Sequence, residues 1–283
     1  MAEFIPDALG WQPDIPDIRD FGPRSRHITK MFEGVPTASE ELPPAVDLRE
    51  FCPSVHVQQT VLGCTAHACV ALVEYFERRA LGATPRLSAR FLHQVAAEIG
   101  KSRGMQGNDL RTHLQAMTTF GAPPACLWPW KTKGFDLPPG PQLYGYAQQF
   151  SDIYYLKLDR RNQTGTVALH LVRSFLAAGI PLAFGFAVPG IMDDDGTIPY
   201  FRSSQNASVL GGQTVVAVGY DDRRRTGGQG AVLVRSSWGS GWGEQGHGWL
   251  PYAYVEEQLA VCFWAIVSRK WLLSGEFGRP MTV

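Results

Sequence analysis

The hydrophobic positions change their period about halfway along the chain. Residues 64–80, CTAHACVALVEYFERRA, carry apolar side chains on most faces before a run of charges and stop short of Gly82. That pattern predicts a largely buried helix. Two further helical patterns follow, Ser88 to about Ile99 and Asp109 to Phe120, the second stopped by Gly121 and Pro123. PACLWPWKT (124–132) breaks the pattern, and a last helix is predicted over 166–178, ended by Gly179 and Pro181. Strand-like pieces then take over at 182–188, 213–220, 230–236, 247–252 and 260–268. Helices first and strands second predict an α+β fold of two lobes, with a cleft between them where a site is expected. The predicted helical lobe covers about 46–130 and the strand-rich lobe about 131–270. Residues 1–45, rich in Pro, Asp and Arg and without periodicity, are expected to be an irregular extension on the surface or wrapped over a groove, and 271–283 a C-terminal tail.

With 283 residues, 45% of them hydrophobic, there is chain enough for such a pair of lobes. The 26 basic side chains are balanced by 26 acidic ones, which argues against nucleic acid or an anionic membrane held by a basic field. The run Arg223, Arg224, Arg225 lies beside Asp221 and Asp222 in a Gly-rich segment and reads as a solvated hairpin tip. The first residues, MAEFIPDALGWQPDIPDIRDFGP, lack the basic start and apolar run of a secretory signal, and no apolar run reaches membrane-spanning length. Five scattered cysteines, without zinc-ligand spacing to histidines, predict no disulfide framework, no metal and no cofactor. A cytoplasmic protein is the expectation.

Candidate chemistry starts at Cys64. A thiol at the start of a helix feels the positive end of the macrodipole and the unpaired N–H groups. Its own backbone N–H and the amide of Gln58, six positions earlier, could form a two-donor oxyanion hole. A small buried hydrophobe is the plain alternative for Cys64.

Two blocks, LPPAVDLREFCPSVHVQQTVLGCTAHA and VLGGQTVVAVGYDD…AVLVRSSWGSGWGEQGHGWLPYAYV, resemble the signature blocks of papain-like cysteine peptidases, in particular their bacterial branch. The lead GWQPDIPDIRDF is similar too, so the resemblance runs from about residue 10 to 268. It implies the papain-like two-lobed fold, with Cys64 as nucleophile and Gln58 as oxyanion glutamine. Trp238 and Trp242 match the tryptophans that shield the catalytic hydrogen bond, and Gly107 the glycine whose backbone pairs with an extended substrate. Two positions depart from the pattern: the family's histidine falls on Gln213 and its orienting asparagine on Ser236. An amide has no usable pKa near neutrality, so it cannot take the thiol proton and return it to a leaving amine.

His67, one turn beyond Cys64, leans back toward the thiol by helix geometry; packing under the helix is one reading and a substitute base the other. His56 and His247 read as structural, and His27, His93, His113 and His170 as surface or helical with nothing to single them out. Cys69 reads as core. The expectation is a pseudopeptidase that binds a peptide or protein segment in the cleft. The alternatives are an acyl-transfer or cyclisation enzyme using Cys64, and a peptidase using His67. An open cleft, with Gln213 within hydrogen-bond reach of Cys64, is the structural form of that expectation; the alternative is a collapsed cleft, with Gln213 turned into the core and the N-terminal extension sealing the groove.

Overall fold

A computed structural model describes residues 6, 9–37, 41–101, 109–131, 133–160, 163–190, 192–200, 208–226 and 228–280. The helical elements are α1 (Arg26–Met31), α2 (Cys64–Leu81), α3 (Ala89–Ile99), α4 (Leu110–Phe120), α5 (Pro141–Ala147), α6 (Gly165–Ala177), α7 (Tyr252–Glu256) and α8 (Arg269–Leu272). The strands are β1 (Ala45–Asp47), β2 (Tyr154–Lys157), β3 (Leu182–Pro189), β4 (Val209–Asp221), β5 (Ala231–Arg235), β6 (His247–Pro251) and β7 (Ala260–Val267). All seven join one antiparallel sheet in the order β2-β7-β3-β4-β5-β6, with β1 on the far end of β4.

The long helices begin where their capping side chains sit. Ser88 accepts from Phe91 N at 3.1 Å, Asp109 from Thr112 N at 2.8 Å and Thr164 from Val167 N at 3.4 Å. α2 has no side-chain cap; Gly63 precedes Cys64, and a Cβ there would lie 2.1 Å from the ring of Trp130. A side chain at Gly63 would therefore push the start of α2 away from its floor. α2 packs against α3 and α4 on one side and β4 on the other, so it forms the seam of the two lobes. Thr65 and Thr214 hydroxyls close that seam at 2.9 Å.

Segments near both ends of the chain are anchored on the core. α1 buries Ile28 and is followed by buried Phe32 and Val35. Asp14 is held at 2.7 Å by Trp264 Nε1, at 3.2 Å by Lys157 Nζ and at 3.2 Å by Arg111 N. At the other end Trp271, Leu272 and Phe277 are core residues; Trp271 stacks on Phe76 at 4.6 Å and donates to Glu77 at 2.8 Å. These segments are too short for a period to show, and their apolar residues anchor singly. β4 also starts at Val209, four residues before the predicted strand.

Candidate active site

Cys64 is the first residue of α2 and is fully buried. Its Sγ lies 3.9 Å from Thr65 Oγ1. Gln58 reaches the same region from the loop before α2; its backbone N donates to Ser237 O at 2.9 Å, and its carbonyl accepts from Trp130 Nε1 at 3.0 Å. The Gln58 side-chain Oε1 accepts from Ser237 Oγ at 2.5 Å and from Gln213 Nε2 at 3.0 Å. These two bonds fix the sense of the Gln58 amide, with its acceptor toward β4 and its donor end facing away.

Gln213 sits on β4 opposite Phe186 of β3 and is wholly buried. Its Nε2 contacts Gln58 Oε1 and, at 3.4 Å, Ser237 Oγ, and its Oε1 has no hydrogen-bond partner among the described residues. The expected bond from Gln213 to Cys64 is not formed: the amide donor is drawn to a carbonyl oxygen, a stronger acceptor than a thiol. Ser236 does not orient Gln213 either. Its Oγ bonds Gly246 O at 3.2 Å and receives Trp238 N at 3.3 Å, because the turn after β5 points this side chain into the loop. The hydroxyl that meets Gln213 belongs to its neighbour Ser237, which sequence reasoning passed over because the family motif places the orienting residue one position earlier. Trp238 and Trp242 pack edge to face at 4.7 Å in that loop. Gly107 lies outside the described residues.

His67 makes no hydrogen bond to the thiol among the described residues. Its Nδ1 is 3.0 Å from His56 Nδ1, and His56 Nε2 is 3.0 Å from the Glu74 carboxylate. With His56 donating to Glu74, its Nδ1 must accept, so His67 donates through Nδ1 and keeps its lone pair on Nε2. That Nε2 has no partner among the described residues; the ring lines a small cavity with Thr214, Ser236 and Ser237. Burial, reinforced by His56, holds the His67 imidazole well below the usual histidine range. Burial also lowers His56, against the pull of Glu74. His93 and His113, expected in surface or plain helical settings, are both buried in the helical lobe.

The cleft is not open. Leu9, Gly10 and Trp11 cross it: a Cβ on Gly10 would stand 2.5 Å from Leu62 Cβ, on the helical side. On the strand side Trp11 N donates to Gly212 O at 3.0 Å, and the indole lies on Gly185 and Gly212. This strap runs between the residues that lead into Cys64 and those that lead into Gln213. Its sequence signals were the Pro-rich, aperiodic composition of residues 1–45 and the similarity of GWQPDIPDIRDF to family leaders. Among the described residues no cluster of His, Cys, Asp and Glu is arranged to hold a metal, and no helix is long and apolar enough to cross a membrane.

No family model matches the chain. An uncharacterized peptidase C1-like protein of Acanthamoeba polyphaga mimivirus is 26% identical over 221 residues, 74% of this chain and 68% of that protein. Among solved structures, xylellain, a cysteine protease from Xylella fastidiosa, is 26% identical with a TM-score of 0.73, over 92% of this chain and 96% of xylellain. The bromelain protease from Ananas comosus, solved with the E64 inhibitor, is 18% identical with a TM-score of 0.58 over 80% of this chain and 100% of its own, a likeness of fold alone. The two-lobed fold, the cysteine that opens the central helix and the relatives at 26% identity agree: this chain has the papain-like fold and is similar to papain-like cysteine peptidases.

Proposed function

We propose that this protein is a pseudopeptidase, a papain-like cleft that binds an extended peptide segment without hydrolysing it. The observation that carries the reading is Gln213. It stands where the family's general base falls, is fully buried, and commits its amide nitrogen to Gln58 and Ser237. An amide there can hold a geometry but cannot carry a proton between thiol and leaving group. His67 does not replace it, since neither of its ring nitrogens bonds Cys64 among the described residues and burial holds the imidazole well below the usual histidine range, a weak base. Peptide binding is supported by the strap itself, an extended segment of chain whose backbone N–H pairs with Gly212 O as an added strand would. All five cysteines are unpaired, which suits a reducing compartment such as the cytoplasm.

The direct test is turnover of fluorogenic dipeptide amides by the purified protein and by its Cys64→Ala variant. The expected result is no turnover that depends on Cys64; turnover lost in the variant overturns the reading. A second reading, acyl transfer from an activated ester, is favoured by one observation. Cys64 Sγ, Thr65 Oγ1 and Thr214 Oγ1 form a hydroxyl-linked chain at 3.9 and 2.9 Å. An ester leaving group needs less protonation than an amine, so Cys64-dependent ester cleavage without amide cleavage would select it.

A further inference from the structure

The strap shows which peptides the cleft can hold. At Gly10 the chain passes so close to Leu62 that a Cβ would come 2.5 Å from Leu62 Cβ and 2.8 Å from its carbonyl oxygen. One residue on, the Trp11 ring rests on a floor made by two glycines. A Cβ at Gly185 would fall 1.9 Å from Trp11 Cε2, and one at Gly212 would fall 2.5 Å from Cε3. None of Gly10, Gly185 and Gly212 has positive φ, so what their hydrogen side chains provide is room, not backbone freedom. The slot is thus cut to a flat ring, preceded by a residue without a side chain. It offers the indole nothing polar: Trp11 Nε1 is buried without a hydrogen-bond partner. The slot reads an aromatic face and not an indole N–H. The strap's remaining hold lies further along, at Asp14 and at Asp20 on Arg111, so residues 9–11 can leave the slot while those contacts stay.

We propose that the cleft is a receptor for extended peptide segments in which a glycine precedes an aromatic residue, and that Leu9-Gly10-Trp11 is its resident occupant. This rests on the peptide-binding reading above and names its ligand class. A tethered occupant acts at an effective concentration of about millimolar, so a free peptide at micromolar concentration loses the competition in the unaltered chain.

The experiment uses the full chain as wild type and as Trp11→Ala, with fluorescence anisotropy of a labelled peptide copying residues 6–14, PDALGWQPD. Three altered peptides carry Phe for the tryptophan, Ala for the tryptophan, and Ala for the glycine. The expected result is binding of the parent and Phe peptides by Trp11→Ala at least about tenfold tighter than by wild type. They should also bind at least about tenfold tighter than either Ala peptide, with the preference lost when Gly185→Ala is added. Gly10→Val, which expels the strap against Leu62 and leaves the slot intact, supplies the same readout if Trp11→Ala does not fold. Equal binding of all four peptides overturns the glycine–aromatic preference and leaves peptide binding standing. If the folded variants bind neither these peptides nor a mixed-sequence peptide pool, the peptide-binding reading falls with it.

Discussion

An imidazole at position 213 would be a movable proton; the amide found there is a fixed strut. Gln213 fills the space between β4 and the Gln58 loop, and its Oε1 is left without a partner at a cost of about 1–3 kcal/mol in desolvation. That cost makes position 213 open to repair. Gln213→His, placed in a Trp11→Ala chain so that the cleft is uncovered, is expected to raise Cys64-dependent ester hydrolysis by at least about tenfold, since losing a base in such sites costs several orders of magnitude. p-Nitrophenyl ester turnover with a Cys64→Ala control measures it, and no gain in a folded variant would mean that the rest of the cleft is unfit. Cys64 and Gln58 were legible because helix start and motif spacing mark them. The choice of Ser237 over Ser236 was not, because it depends on which way the turn after β5 points two identical side chains.

Among the elements, the capped helices were the readable ones, since Ser88 and Asp109 announce α3 and α4 through chemistry confined to one turn. α1, β1 and α8 were hidden because a span of three to six residues shows no period. What α4 encloses was hidden as well. His113 donates through Nδ1 to Asp109 O at 3.0 Å, while burial lowers its pKa from 6.5 to about 4. Above the unfolded value neither state holds the extra proton, and the full stability is present. As pH falls from 6.5 toward 4, the unfolded chain takes a proton that the folded chain refuses, and about 1.4 kcal/mol is lost per pH unit. Urea midpoints between pH 7 and 4.5 should therefore fall less steeply in His113→Leu than in the wild type. Equal slopes would show that His113 stays accessible to protons in the folded state.

Across the whole molecule, the two-lobed plan followed from the order of helices and strands, but the way the ends close it did not. Trp271 stacks on Phe76 of α2 and donates to Glu77, which Lys270 also meets at 2.6 Å. Trp271→Ala is expected to cost about 3–5 kcal/mol by leaving a cavity under the central helix, read as a lowered urea midpoint. A loss below about 1 kcal/mol would mean that the C-terminal segment is only laid against the lobe. At the opposite corner Arg279 N donates to Pro36 O at 2.7 Å, so the two ends of the chain meet. This closure has a consequence during synthesis on the ribosome. Trp11 is translated early, but Gly212 follows roughly 200 residues later, which at about 5–20 residues per second is a delay of about 10–40 s. In the later part of that interval α2 has emerged while β4 has not, and the strap lacks the Gly212 carbonyl on which it rests. The nascent chain is thus the form of this protein in which Cys64 is most open to the cell.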